Sequence, residues 1–147
     1  MRAVLQRVSE AEVVIGGASV ARIGKGALAL IAISHEDTER DLNWMAKKIV
    51  ELRIFSDSQE KLNLSLQDIN GELLIVSQFT LYGDCKKGRR PSYSEAAAPA
   101  EAERLYEKFL DIIRQYIPEA KTGKFQAMME VNLRNSGPVT LIIDSRK

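Results

Sequence analysis

The segment E-L-L-I-V-S-Q-F-T-L-Y-G, residues 72 to 83, organises the rest of this chain. Its first half, Leu73 to Val76, is a continuous apolar run, which is typical of a strand covered on both faces. Ser77, Gln78 and Thr80 follow, and burying such side chains is costly unless each finds a hydrogen-bond partner. In a strand that continues through them, Gln78 and Thr80 point to the same face. The segment therefore predicts a central strand that ends either in a reactive centre or in polar residues tolerated at its edge.

Glycines and apolar runs before this segment predict the strands around it. The predicted strands are Arg2 to Val8, Glu12 to Ile15, Ala18 to Ile23 and Ala27 to Ile33. Gly16-Gly17 suits a tight hairpin turn, and the last of these strands lacks polar alternation, so we expect it to be a second central strand. Asn70-Gly71 is a further hairpin signal, which predicts an antiparallel partner directly before the central strand.

Apolar side chains at helical spacing predict a helix over about residues 39 to 52 and a second helix that Pro99 opens and Pro118 ends. Two other segments, Met129 to Arg134 and Val139 to Ile143, alternate or run apolar as strands do. We therefore expect a single α+β domain over residues 1–147. In this fold, two long helices cover a mainly antiparallel sheet or open barrel.

Two connections between these elements have unusual compositions. The long loop after Tyr82 carries four cations within five positions: Lys86, Lys87, Arg89 and Arg90. Such a run indicates either a solvated surface or a phosphate contact. N-S-G-P, residues 135 to 138, separates the last two predicted strands and reads either as a plain turn or as a rigid tip with a role. Only about 5 to 6% of X-Pro bonds are cis in folded proteins, so the residues alone leave the isomer open.

Composition and known motifs narrow the class of protein. With 21 Lys and Arg against 20 Asp and Glu, the net charge of +1 argues against a generally basic nucleic-acid coat. Cys85 and His35 are the only residues of their types, too few for a disulfide framework or a zinc site. His35 lies at a predicted helix entrance, so a Ser-His-Asp triad is not expected either. No segment suits a signal peptide or a membrane span, and we expect a soluble, cytoplasmic protein without a metal.

The chain resembles the D-aminoacyl-tRNA deacylase family in four motifs: S-Q-F-T-L at 77–81, K-G-R-R-P-S-Y at 87–93, T-G-K-F at 122–125 and N-S-G-P-V-T at 135–140. The resemblance covers essentially the whole chain. It implies a hydrolase that cleaves the ester between a D-amino acid, or glycine, and the terminal adenosine of tRNA, and that rejects L-aminoacyl-tRNA in translation quality control. It also implies a homodimer with active sites at the subunit interface, acting without metal or cofactor.

The resemblance further implies roles for individual residues. Those lining the reaction centre are Ser77, Gln78, Phe79 and Thr80. There the main chain near Phe79 polarises the ester, and the 2′-hydroxyl of the terminal adenosine assists. Gly137-Pro138 is implied to be cis and to enter the partner subunit's site, where its carbonyls hold the α-ammonium group and exclude an L side chain.

Other implied positions have plainer alternatives. Arg7 resembles the residue that braces the Gly-Pro tip, but it equally suits a surface arginine. Phe125 and Met129 resemble pocket-lining positions, although Met129 also fits the core face of a strand. Two positions depart from the family pattern: Ser136, where Asp more often precedes the Gly-Pro, and Gln126, where Gly often follows the phenylalanine.

Two alternative functions remain open at this point. The first is a non-catalytic RNA-binding module that uses the basic loop, with Ser77 and Thr80 as ordinary strand residues. The second is a hydrolase with Thr80 as a covalent nucleophile, although a hydroxyl without a nearby base is a poor nucleophile.

Overall fold

The computed structural model describes residues 1–146, which form eight strands, two α-helices and one short 3₁₀ helix. The strands are β1 (Arg2–Ile15), β2 (Ala18–Ile23), β3 (Gly26–Ala32), β4 (Phe55–Ser56), β5 (Leu62–Leu64), β6 (Glu72–Ser77), β7 (Lys121–Thr122) and β8 (Glu130–Asp144). The helices are α1 (Glu39–Glu51) and α2 (Pro99–Tyr116), and the 3₁₀ helix, Phe79–Tyr82, follows β6. No helix in this described part is long and apolar enough to cross a membrane.

Strand β1 pairs with three other strands of the main sheet. Along one edge it pairs with β8, and on the other edge its first half pairs with β3 and its second half with β2, all antiparallel. Beyond β3 the sheet continues through β6 to β7, and both of these pairings are parallel. The expected α+β fold, with two long helices over a mainly antiparallel, barrel-like sheet, is confirmed.

Strands β3 and β6 lie at the centre of the sheet and are buried on both faces. Leu73 and Ile75 enter a core shared with α1 and α2, while Leu74 and Val76 enter a second core bounded by β1, β2 and β3. Alternate side chains of β3 divide in the same way. This double burial is the physical reason for the unbroken apolar runs, because neither face of these strands meets water.

The predicted hairpin at Asn70-Gly71 is wrong. Strand β5 pairs with β4 instead, and β6 has only parallel neighbours in the sheet. Asn70 does adopt a positive φ of 48°, and the Gly71 N–H donates to the Leu66 carbonyl at 2.9 Å. The turn therefore closes a loop onto itself and joins no antiparallel pair.

Two predicted strand breaks are also wrong. The segments 2–8 and 12–15 merge into β1, and the last two predicted strands merge into β8. The N-S-G-P sequence is thus no hairpin connection. In the β1–β8 register, Asn135 faces Val8 and Thr140 faces Gln6, so residues 136–139 bulge out opposite the single residue Arg7.

The central strand ends earlier than the alternation pattern predicts. Strand β6 stops at Ser77, and the chain turns into the 3₁₀ helix at once. Gln78 and Thr80 are therefore not two residues on one face of a strand. Their side chains meet nonetheless, because the tight turn brings positions two apart together: Gln78 Nε2 donates to Thr80 Oγ1 at 2.5 Å.

Candidate active site

A cavity of about 890 Å³ lies where β6 ends. One wall is formed by Ser77, Gln78, Phe79 and Thr80, and the first turn of α2 contributes Pro99 and Ala102. Phe125, Gln126 and Met129 lie on the segment between β7 and β8 and also line the cavity. Six of the nine predicted site residues therefore meet in one cleft: Ser77, Gln78, Phe79, Thr80, Phe125 and Met129.

The 3₁₀ helix begins with two main-chain donors at this wall. The Gln78 N–H donates to the Ile31 carbonyl of β3 at 2.7 Å, which fixes the end of β6 to the sheet. In the part of the chain that the structure describes, the N–H groups of Phe79 and Thr80 find no acceptor. First-turn N–H groups lack an acceptor within their own helix, so these two remain available to a ligand.

Aromatic side chains frame the cleft. The Phe79 ring is 54% exposed and contacts the Tyr93 ring edge-on, with centroids 5.1 Å apart. Phe125, which also lines the cleft, packs on Tyr106 with centroids 5.8 Å apart. Burial raises the pKa of Tyr106, whose hydroxyl donates to the Ile75 carbonyl at 3.2 Å. Tyr106 is thus a neutral support that joins α2 to the central strand behind Phe125.

Met129 and Gln126 shape the rim of the cleft. A Cβ on Gly123 would lie 2.7 Å from the Met129 sulfur, so a small residue there leaves space for the methionine. Gln126 has a φ of 59°, in the left-handed region that glycine tolerates best. A glycine at this position would adopt the same backbone conformation without strain.

The three remaining predicted site residues lie together, away from the cavity of their own chain. Arg7 Nε donates to the Ser136 carbonyl at 3.0 Å, and Arg7 Nη1 donates to the Ile54 carbonyl at 2.7 Å. Gly137 and Pro138 are exposed at the apex of the bulge, and the peptide between them is cis. Residues 136–138 are called the Gly-Pro tip below. The contacts favour Arg7 as a brace of this tip over a free surface arginine.

Comparison with known proteins identifies the family of this chain. The family model described as D-Tyr-tRNA(Tyr) deacylase matches residues 4–144. The chain belongs to this family. Similar curated proteins include the D-aminoacyl-tRNA deacylases of Thermosipho africanus (strain TCF52B) and Bacillus velezensis (strain DSM 23117 / BGSC 10A6 / LMG 26770 / FZB42). Each is 55% identical over 147 residues that cover 100% of this chain and at least 99% of the relative.

Solved structures of relatives share the fold. The chain named c-Myc DNA Unwinding Element Binding Protein matches with a TM-score of 0.94 and 42% identity over 98% of both chains. A probable eukaryotic D-amino acid tRNA deacylase matches with a TM-score of 0.84 over 97% of both chains, and at 19% identity it supports the fold alone. The predicted family is confirmed, and with it the prediction of a D-aminoacyl-tRNA deacylase, a hydrolase of ester bonds. The alternative of a non-catalytic RNA-binding module is not favoured.

The sequence did not predict two residues that the structure places at the tip and the cleft of this deacylase. Asn135 donates through Nδ2 to the Val139 carbonyl at 2.9 Å and to the Arg7 carbonyl at 3.3 Å, which closes the base of the tip. Tyr93 lines the cleft beside Phe79. In the sequence, Asn135 is only an asparagine near a Gly-Pro and Tyr93 only a tyrosine after a long loop. Neither pattern specifies which residue the side chain contacts.

Proposed function

We propose that this chain hydrolyses the ester that joins a D-amino acid, or glycine, to the terminal adenosine of tRNA, and that it rejects L-aminoacyl-tRNA in translation quality control. The observation that carries the proposal is the cleft at the end of β6. It combines a polar wall at Ser77–Thr80, two unpartnered N–H groups and room for an aminoacyl-adenosine. Family membership supports the reaction class.

The chemistry at this wall depends on main-chain donors and not on a side-chain base. Thr80 Oγ1 accepts a hydrogen bond from Gln78, and His35 is not among the cleft residues. The N–H groups near Phe79 would stabilise the oxyanion that forms when water attacks the ester carbonyl, and such donors are worth roughly 2.7 to 4 kcal/mol each. The 2′-hydroxyl of the adenosine would assist, and the reaction releases the free amino acid and the 3′-hydroxyl of tRNA. No metal or cofactor is needed for these steps.

Chiral selection is assigned to the Gly-Pro tip of a second copy. In its own chain the tip does not line the cleft, and both Gly137 and Pro138 are exposed. A homodimer that places each tip in the partner's cleft would complete two sites. A wall of main-chain carbonyls cannot rotate aside to admit an L side chain, so the wrong enantiomer is excluded by shape.

An exposed apolar surface on β8 is compatible with this dimer. Ile142 is 79% exposed and lines a shallow groove with Val4 and Leu81. Covering the Ile142 side chain with a partner surface would remove apolar area from water, which favours association. Since tRNA is charged with amino acids in the cytoplasm, we also propose a cytoplasmic location.

The test of the proposal is a comparison of matched D- and L-tyrosyl-tRNA. We expect D-tyrosine to be released and the L-ester to persist. If both esters persist while the tRNA is still bound, the RNA-binding module is the correct function.

Light scattering at micromolar concentration should give the mass of a dimer, and a monomer would contradict the shared site.

Thr80→Ala separates main-chain catalysis from a covalent threonine. We expect kcat on D-tyrosyl-tRNA to fall less than about tenfold, because Thr80 only positions the substrate, whereas removing a true nucleophile typically costs a factor in kcat on the order of 10⁴ or more.

A D-tyrosyl-tRNA that ends in 2′-deoxyadenosine tests the role of the 2′-hydroxyl and should be cleaved slowly by the wild-type protein. Fast cleavage of that ester would contradict assistance by the 2′-hydroxyl.

A further inference from the structure

Residues 84–92 form a loop, called the basic ribbon below, that the reaction itself does not use. Its four cations, Lys86, Lys87, Arg89 and Arg90, are all exposed. In the described part of the chain none of the four forms an ion pair, whereas other arginines, such as Arg2, Arg104 and Arg146, pair with carboxylates. Four unneutralised charges in a protein of net charge +1 are a local concentration that favours an anionic ligand.

The basic ribbon is closed at its base by the backbone. The Asp84 N–H donates to the Ser92 carbonyl at 2.7 Å, and the Ser92 N–H donates back to Asp84 at 3.0 Å. The Asp84 carboxylate, which is the only one in the ribbon, accepts the Lys86 backbone N–H at 2.9 Å. Gly88 turns the chain at the apex with a φ of 69°. The cationic side chains therefore project from a defined turn.

The basic ribbon also begins beside the cleft. Tyr93 directly follows its base, lines the cleft and packs on Phe79. Gly88 lies four positions from Asp84 and four positions from Ser92, and four steps of 3.3 Å give a reach of roughly 13 Å. An anion bound there would lie close to a ligand whose reacting end occupies the cleft.

We propose that the basic ribbon binds phosphate groups of the tRNA 3′ strand directly upstream of the terminal adenosine. This inference rests on the proposed function, because the ester must lie in the cleft for these phosphates to pass the ribbon. Lys and Arg neutralise phosphates without reading the bases. The ribbon therefore captures the substrate and takes no part in cleavage.

The test is the double variant Lys86→Gln/Lys87→Gln, with Lys47→Gln/Lys48→Gln on α1 as the control. Both variants remove two positive charges from adjacent exposed lysines, but the control pair lies on α1, outside the basic ribbon. With D-tyrosyl-tRNA we expect the ribbon variant to raise KM and leave kcat unchanged. The slope of log KM against log salt should fall by about 1.4 to 1.8, since each phosphate contact contributes about 0.7 to 0.9.

The second substrate is 3′-D-tyrosyl-adenosine, which has the ester but no phosphate. The ribbon variant should cleave it at the wild-type kcat/KM. An equal loss on this nucleoside, an equal effect in the control variant, or an unchanged KM for tRNA would each overturn the phosphate site. Failure of the proposed function looks different, because the wild-type protein would then cleave neither D-ester.

Discussion

Arg7→Leu is expected to lower kcat/KM for D-tyrosyl-tRNA by roughly 100-fold or more and to weaken the rejection of the L-ester. The Arg7 guanidinium joins two carbonyls, Ser136 O on the Gly-Pro tip and Ile54 O on the segment before β4. Leucine can donate to neither, so the tip loses its side-chain link to Ile54 and keeps only the Asn135 bonds at its base. A displacement of about 1 Å at a substrate-positioning group can cost 10²-fold in rate. The measurement is single-turnover cleavage of matched D- and L-tyrosyl-tRNA.

The control for loss of a positive charge is Arg134→Leu. Arg134 lies on the same strand pair, its side chain is 78% exposed, and it pairs with Glu10 at 3.0 Å. We expect little change in rate, because exposed ion pairs contribute only about 0 to 1 kcal/mol. Arg7→Lys should give an intermediate rate, since an ammonium group cannot reproduce the fork of two donors. If Arg7→Leu melts at the wild-type temperature and keeps both the D rate and the L rejection, Arg7 does not brace a functional tip.

The sequence predicts the central strands well because a strand buried on both faces is composed of consecutive apolar residues. Leu73 to Val76 and Ala27 to Ile33 have no polar interruption, and both are covered on two faces in the structure. The parallel pairing of these strands was missed. A turn signal such as Asn70-Gly71 specifies a local reversal of the chain, but the pairing partner depends on tertiary packing.

Sequence motifs predicted the site residues. Their positions relative to one another are seen only in the structure. Polar residues after an apolar strand pointed to Ser77–Thr80, whereas the 3₁₀ turn that frees two N–H groups depends on the Gln78 bond to Ile31. The sequence predicted a hairpin connection at the Gly-Pro tip because a strand pattern precedes it and another follows it. In the structure both patterns belong to β8 and pair with the continuous strand β1, so the tip is a bulge. Such a register can be read only when the partner strand is known.

The location of the tip leads to the largest expected effect, which is recovery of activity by mixing two inactive variants. Gly137→Val damages the tip: Gly137 has a φ of 121°, and a Cβ there would lie 2.6 Å from Arg7 Nη2 and 3.0 Å from Val139 Cγ2. Ala102→Trp fills the cleft from α2 and leaves the tip unchanged. Each variant alone should retain on the order of 1% of the wild-type rate, because each dimer then lacks either both tips or both clefts.

Mixing the two variants under conditions that exchange subunits should restore about a quarter of the wild-type activity. Random exchange makes half of the dimers mixed, and in a mixed dimer one of the two sites combines an intact cleft with an intact tip. Mixing Gly137→Val with itself provides the control and should remain inactive. If subunits exchange, as mass spectrometry of isotopically labelled protein can establish, and activity does not return, the tip acts within its own chain or not at all. The recovery therefore tests directly whether one protomer supplies the wall that rejects L-amino acids in the other.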